Sequence, residues 1–198
     1  MNRLVLFLTP FLFLACTTTT PTISQYRIDT NATPGSLSQT ACKEKSLKIA
    51  QAFSSDSLMT HKMRYAQGKY KQYVFSQAEW AETPNRAITD EILRYIREKN
   101  LFKNVQISKS RSRNGFLLET SIEEFMQYFS EDETESYVKV KINLTFIDIK
   151  TSKVLSTKTI FSRVKVESVD ALGGVKALNK ALKSSLLTTD KWLGELCQ

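Results

Sequence analysis

The sequence predicts an α+β fold: a largely antiparallel sheet with two helices packed on one face. Three observations lead there. From Val138 to Ile147 the chain alternates, with Val138, Val140, Ile142, Leu144 and Phe146 on one side and Lys139, Lys141, Asn143 and Thr145 on the other. That is a strand with one face in a core and one in water. Two stretches instead carry apolar residues at helical spacing, Ile88, Ile92 and Ile96 in the first and Leu172, Val175, Leu178, Leu182, Leu186, Leu193 and Leu196 in the second. The order, three strands, helix, four strands, helix, lacks the strand–helix alternation of a parallel α/β protein.

Taken in order, Leu47, Ile49 and Ala52-Phe53 open the domain as a half-buried strand. Met63 and Tyr65 mark a second, and Tyr70 to Phe75 a third after a turn at Gln67-Gly68. Thr83-Pro84 reads as an N-cap followed by proline at the first helical position, with the helix running to Asn100. Val105 and Ile107 mark a strand. Phe116 to Phe129 is a longer one after Asn114-Gly115, and its apolar parity slips near Glu123-Glu124, which predicts a bulge. Val154 to Val166 pairs with the alternating strand across Lys150-Thr151-Ser152-Lys153, and Asp170 caps the last helix.

Composition narrows the chemistry. The 198 residues carry a net charge of +8, with six glycines, one histidine and three cysteines. No two glycines stand five apart ahead of a lysine, so a phosphate-binding P-loop is excluded. The Cys-x-x-Cys and His-x-x-x-His spacings of common zinc sites are absent as well. The reading is a protein without enzymatic activity, catalytic residues, metal or cofactor.

The N-terminus supplies an address. Arg3 precedes a run from Leu4 to Leu14 that is almost wholly apolar, the n-region and h-region of a signal peptide. The run is about half of the roughly 20 residues that cross a bilayer. Phe13-Leu14-Ala15-Cys16 resembles the lipobox of bacterial lipoproteins, with Phe13 where that motif usually has Leu. The resemblance implies cleavage before Cys16 and acylation of its sulfur and new amine, with palmitate-class chains anchoring the protein in membrane lipid. Thr17, where inner-membrane retention calls for Asp, implies the periplasmic face of the outer membrane. The domain reading is therefore signal peptide 1–15, lipidated cysteine and flexible tether 16–40, and one α+β domain 41–198. The tether rests on its Thr-, Ser-, Asn- and Pro-rich composition. Within it, Asp29-Thr30-Asn31-Ala32-Thr33 resembles the extended acceptor of bacterial N-glycosylation, making Asn31 a candidate site.

The lipobox, Tyr26-Arg27-Ile28, Met63-Arg64-Tyr65, Trp80-Ala81-Glu82-Thr83-Pro84, the positions Leu118, Ile122 and Phe125, and a closing helix with Trp192-Leu193 together resemble the auxiliary lipoprotein component of ABC-type transport systems. That family includes the lipoprotein of the paraquat-inducible intermembrane transport system. The resemblance implies a non-enzymatic subunit that docks on a periplasm-spanning protein of the mammalian-cell-entry (MCE) type and serves transport of phospholipid or another hydrophobic compound. The alternative is an envelope assembly lipoprotein that binds an outer-membrane β-barrel, as the plug of the lipopolysaccharide translocon does. Export argues against a nucleic-acid partner, and a homo-oligomer stays open.

Candidate contact residues are Tyr73 and Trp80, because aromatics are enriched at interface hot spots, with core packing as the alternative. His61 reads as an exposed histidine, Glu131 to Glu135 as a solvated hairpin tip, and Lys103, Lys109, Arg111 and Arg113 as surface charge or a contact for anionic headgroups. Once Cys16 is lipidated, Cys42 and Cys197 are an even remainder in an exported chain, which predicts a disulfide; two unpaired thiols are the alternative.

Overall fold

The computed structural model describes residues 21–35, 42–113 and 115–197. The signal segment and Cys16 lie outside them. Nine strands form one sheet: β1 (Ser24–Tyr26), β2 (Ser46–Ile49), β3 (Phe53–Ser54), β4 (Lys62–Gln67), β5 (Lys71–Trp80), β6 (Asn104–Ile107), β7 (Phe116–Phe129), β8 (Ser136–Asp148) and β9 (Lys153–Lys165). Two helices, α1 (Pro84–Lys99) and α2 (Ala171–Leu196), pack against it.

The sheet is organised on β7. Along one edge β7 pairs over its whole length with antiparallel β8, which pairs in turn with antiparallel β9. Along the other edge three short strands follow one another, all parallel to β7, with Leu47 of β2 opposite Phe116, Phe53 of β3 opposite Ser121, and Tyr65 of β4 opposite Gln127. Outside these lie parallel β6 beside β2, antiparallel β5 beside β4, and parallel β1 beside β5. The sheet is therefore mixed, with a large parallel part, and the expectation of a largely antiparallel sheet is corrected. Alternation reports that a segment is a strand with one buried face; it carries no information about the direction of a neighbour distant in sequence.

Two further differences have local causes. Ala52-Phe53 does not continue the first strand, because β2 ends at Ile49 and Phe53 opens the separate β3 with its ring 61% exposed. Part of the span read as tether is packed on the domain: β1 pairs with β5, and Thr30 and Ala32 are buried. The bulge in β7 falls where the parity slip places it, between the pairs Ile122–Ile142 and Glu124–Lys141. Before it Leu118, Thr120 and Ile122 face the helices; after it Phe125, Gln127 and Phe129 do.

The helices cover the apolar face. α1 begins at Thr83-Pro84 and ends on Asn100 in the left-handed region, φ 56°, burying Ile88, Ile92, Tyr95 and Ile96. Asp170 caps α2 by accepting from the Gly173 N–H at 2.6 Å, and Leu178, Leu182, Leu186 and Leu193 are buried against β8 and β9. Each such leucine contributes about 1.5–3 kcal/mol. Leu172, expected on this stripe, is exposed at the first turn, ahead of the covered part of the sheet. Asp190 ties the helices together, accepting from the Tyr95 hydroxyl at 3.5 Å and pairing with Lys99 at 2.9 Å.

Candidate interaction surfaces

β5 carries both predicted contact aromatics and treats them differently. Trp80 is 4% exposed, packs on Phe125 with ring centroids 5.9 Å apart, and donates its backbone N–H to the His61 carbonyl at 2.7 Å. As placed, Trp80 packs in the core, the alternative reading of this residue. The β4–β5 register shifts between Lys62 and Arg64, and across that irregularity the buried positions of β5 become Ala78 and Trp80. Tyr73, before the shift, is 40% exposed. It stacks on Tyr65 at 5.4 Å, and Tyr65 also meets Phe75 at 4.5 Å and Phe129 at 5.0 Å. This cluster lines the end of the sheet beyond the start of α2. Burial, then Glu133 and Tyr73, raise the Tyr65 hydroxyl above its ordinary pKa. Beside it a cleft of about 480 Å³ runs between Phe75, Tyr26 and Leu172.

The sheet face away from the helices is a polar ladder. Tyr128 and Tyr137 stack with centroids 5.3 Å apart and planes 6° from parallel, with Lys139 over one ring at 4.5 Å and Arg163 over the other at 3.8 Å. Glu124 accepts from the Tyr128 hydroxyl at 3.2 Å and pairs with Lys139 at 3.7 Å, while Lys141 meets Glu123 at 2.6 Å. Burial first, then the Glu124 charge, pushes the Tyr128 pKa up to about 12. These groups are satisfied by one another.

The remaining candidates occupy ordinary positions. His61 Nδ1 lies 2.8 Å from the Trp80 carbonyl. The acidic run closes the β7–β8 hairpin, where Asp132 accepts from Ser130 Oγ at 2.6 Å and Thr134 Oγ1 at 2.9 Å and Glu135 pairs with Lys165 at 2.9 Å. Those hydrogen bonds, Ser130 first, hold the Asp132 carboxyl below its usual pKa. Lys103, Lys109, Arg111 and Arg113 are exposed, Lys103 pairing with Glu44 at 3.3 Å. Asn31 is exposed in the left-handed region, φ 45°. Cys42 and Cys197 sit at disulfide distance, Cα atoms 5.2 Å apart, joining the approach to β2 with the end of α2. Among the described residues no group of three His, Cys, Asp or Glu is placed to hold a metal, and no helix is long and apolar enough to cross a membrane.

Sequence reasoning missed one network. Thr30 donates its hydroxyl and its N–H, the latter at 3.1 Å, to Glu91 Oε2. Arg94 pairs with the same oxygen at 3.0 Å and donates to the Ala32 carbonyl at 3.1 Å. Burial raises the Glu91 pKa, but hydrogen bonds from Arg94 and Thr30 outweigh it and hold the carboxyl below its ordinary value. The signal for this strap was Tyr26 and Ile28, two positions apart inside a polar stretch.

No family model matches the chain, and no curated protein matches it by sequence. Its fold is shared with the Xanthomonas campestris protein XCC0632, of the family DUF330, at a TM-score of 0.76 and 13% identity over 86% of this chain and 95% of that one. The resemblance read from the sequence is met at the level of fold, without a match by sequence. An uncharacterized protein superposes at 0.65 and 12% identity over 87% of this chain and 99% of that one. The PelC dodecamer from Paraburkholderia phytofirmans reaches 0.47 at 12% identity over 76% and 91% of the two chains, a likeness that carries no inference about assembly.

Proposed function

We propose that this chain is a lipid-anchored auxiliary subunit of an ABC/MCE-type intermembrane transport system, held at the periplasmic face of the outer membrane through Cys16 and acting by docking the periplasm-spanning component. The order of landmarks from the lipobox to Trp192-Leu193 carries the reading, and the fold in common with XCC0632 supports it. The chain works by binding, without turnover of its own, and its cargo is a lipid or another hydrophobic compound of the partner system. Copurification after gentle crosslinking is the test. An MCE-type protein in the eluate is the expected result; an outer-membrane β-barrel in its place would support the envelope-assembly role and sink this one. The anchor has its own test: Cys16→Ser releases the protein from the membrane fraction and abolishes labelling by a fatty-acid probe, and persistent labelling would overturn the localisation.

A further inference from the structure

The structure assigns a surface to docking: we infer that the free edge of β9, flanked by α2, accepts an extended acidic segment of a partner protein as an added strand. The inference deepens the docking role proposed above by naming the surface and the chemistry of what it holds. β9 pairs with β8 alone, so among the described residues the other edge of a strand running from Lys153 to Lys165 has no strand beside it. Unpaired N–H and C=O groups along such an edge are a template for another strand. α2 runs antiparallel to β9: Trp192 Nε1 donates to Ser156 Oγ at 3.2 Å at one end, and at the other a cavity of about 300 Å³ opens between Val164 and Lys165 of β9 and Lys176 and Lys180 of α2. A strand edge beside a helix flank is the geometry of peptide grooves that bind by strand addition.

Charge selects the occupant. β9 carries Lys153, Lys158, Arg163 and Lys165 and no acidic residue, and Lys176 and Lys180 line the cavity beside Lys165 against the single carboxylate of Glu167. Among the described residues Lys158, Lys176 and Lys180 form no ion pair. Lysines on an edge keep like strands apart, and two copies of this chain meeting β9 to β9 would bring these cations together. An acidic strand meets the opposite condition. Phe161 and Val154, 56% and 57% exposed, give its alternate side chains apolar contacts.

The test uses the full chain in detergent and a labelled peptide alternating Glu and Val, compared with its Lys–Val counterpart. The acidic peptide binds about tenfold or more tightly than the basic one, which corresponds to about 1.4 kcal/mol. Its binding slows amide hydrogen exchange within β9. Changing Lys176→Glu together with Lys180→Glu, both at exposed helix positions, removes the preference while circular dichroism stays that of the parent. Failure of the acidic peptide to bind, equal binding of both peptides, binding without new protection in β9, or self-association through β9 would each overturn the inference. The two proposals fail separately. Peptide binding without a copurifying MCE protein leaves the groove standing, and MCE copurification unaffected by the double charge reversal removes the groove alone.

Discussion

Glu91 sits in α1 but holds a segment some sixty positions away in sequence. Its carboxylate receives Thr30 and Arg94 at once, and Arg94 reaches on to the Ala32 carbonyl, so residues 30–32 are fastened to the helix surface by charge-assisted bonds. Replacing Glu91 with Ala removes the acceptor of the Thr30 N–H and hydroxyl, while Arg94 keeps its pair with Glu98 at 3.2 Å. The expected cost is about 1–3 kcal/mol, toward the lower end because Arg94 remains 35% exposed and screened by water. The pH dependence follows from the lowered folded-state value. The ionised form is favoured in the folded protein, so the strap's contribution is full above the unfolded carboxylate value of about 4.3 and is lost as pH falls through the folded one. Acidification through the lowered Glu91 value therefore exposes residues 27–35 to proteolysis before the domain melts. A Glu91→Gln variant shows that exposure already at neutral pH. Equal cleavage rates for variant and parent across the range would refute the coupling.

Gly173-Gly174 at the start of α2 is an element-scale feature whose reason lies in what the helix approaches. A Cβ at Gly174 would collide with Gln127 Oε1, and one at Gly173 with the Ser168 carbonyl oxygen. Gln127 is fully buried in β7, its amide donating to Ser136 Oγ at 3.0 Å and to the Asp170 carbonyl at 3.2 Å, so it has little room to yield. Gly174→Ala is expected to destabilise by about 1–3 kcal/mol in chemical denaturation. Gln127→Ala in the same chain should recover part of that loss, and strict additivity of the two changes would refute the contact. The periodicities behind α1, α2, β8 and the bulge in β7 were legible because each depends on neighbours a few residues apart. The parallel run of β2, β3 and β4 along β7 was not, since each short strand chooses a partner more than sixty positions away. Tyr73 and Trp80 show the same boundary within one strand: both are visible as aromatics, but only the register shift opposite Lys62 and Arg64 decides which one reaches solvent. The strap and the β9 groove likewise depend on what distant segments bring together.

At the scale of the whole molecule, the two ends of the main body meet at Cys42 and Cys197. The pair closes a sequence separation of 155 residues that contains both helices and every strand except β1. Both side chains are buried, at 6% and 1% exposure, and the end of α2 that Cys197 holds also carries Trp192 and Leu193 into the core. A bridge here restrains the unfolded chain more than the folded one, and the loop-entropy model gives about 5 kcal/mol for a closure of this length, an upper value because residual structure in the unfolded ensemble reduces it. A domain of this size has a total stability of about 5–15 kcal/mol, so the bridge decides how far the protein stands above unfolding. Protein prepared from an oxidising compartment should resist thiol alkylation at both positions until it is reduced under denaturing conditions. Reduction should lower Tm by up to about 10–20 °C, given about 2–4 °C for each kcal/mol. Cys42→Ser with Cys197→Ser should reproduce the reduced protein's Tm and lose all response to reductant. Two freely alkylated thiols in the oxidised preparation, or a Tm indifferent to reductant, would leave the closure of the domain to α2 packing alone.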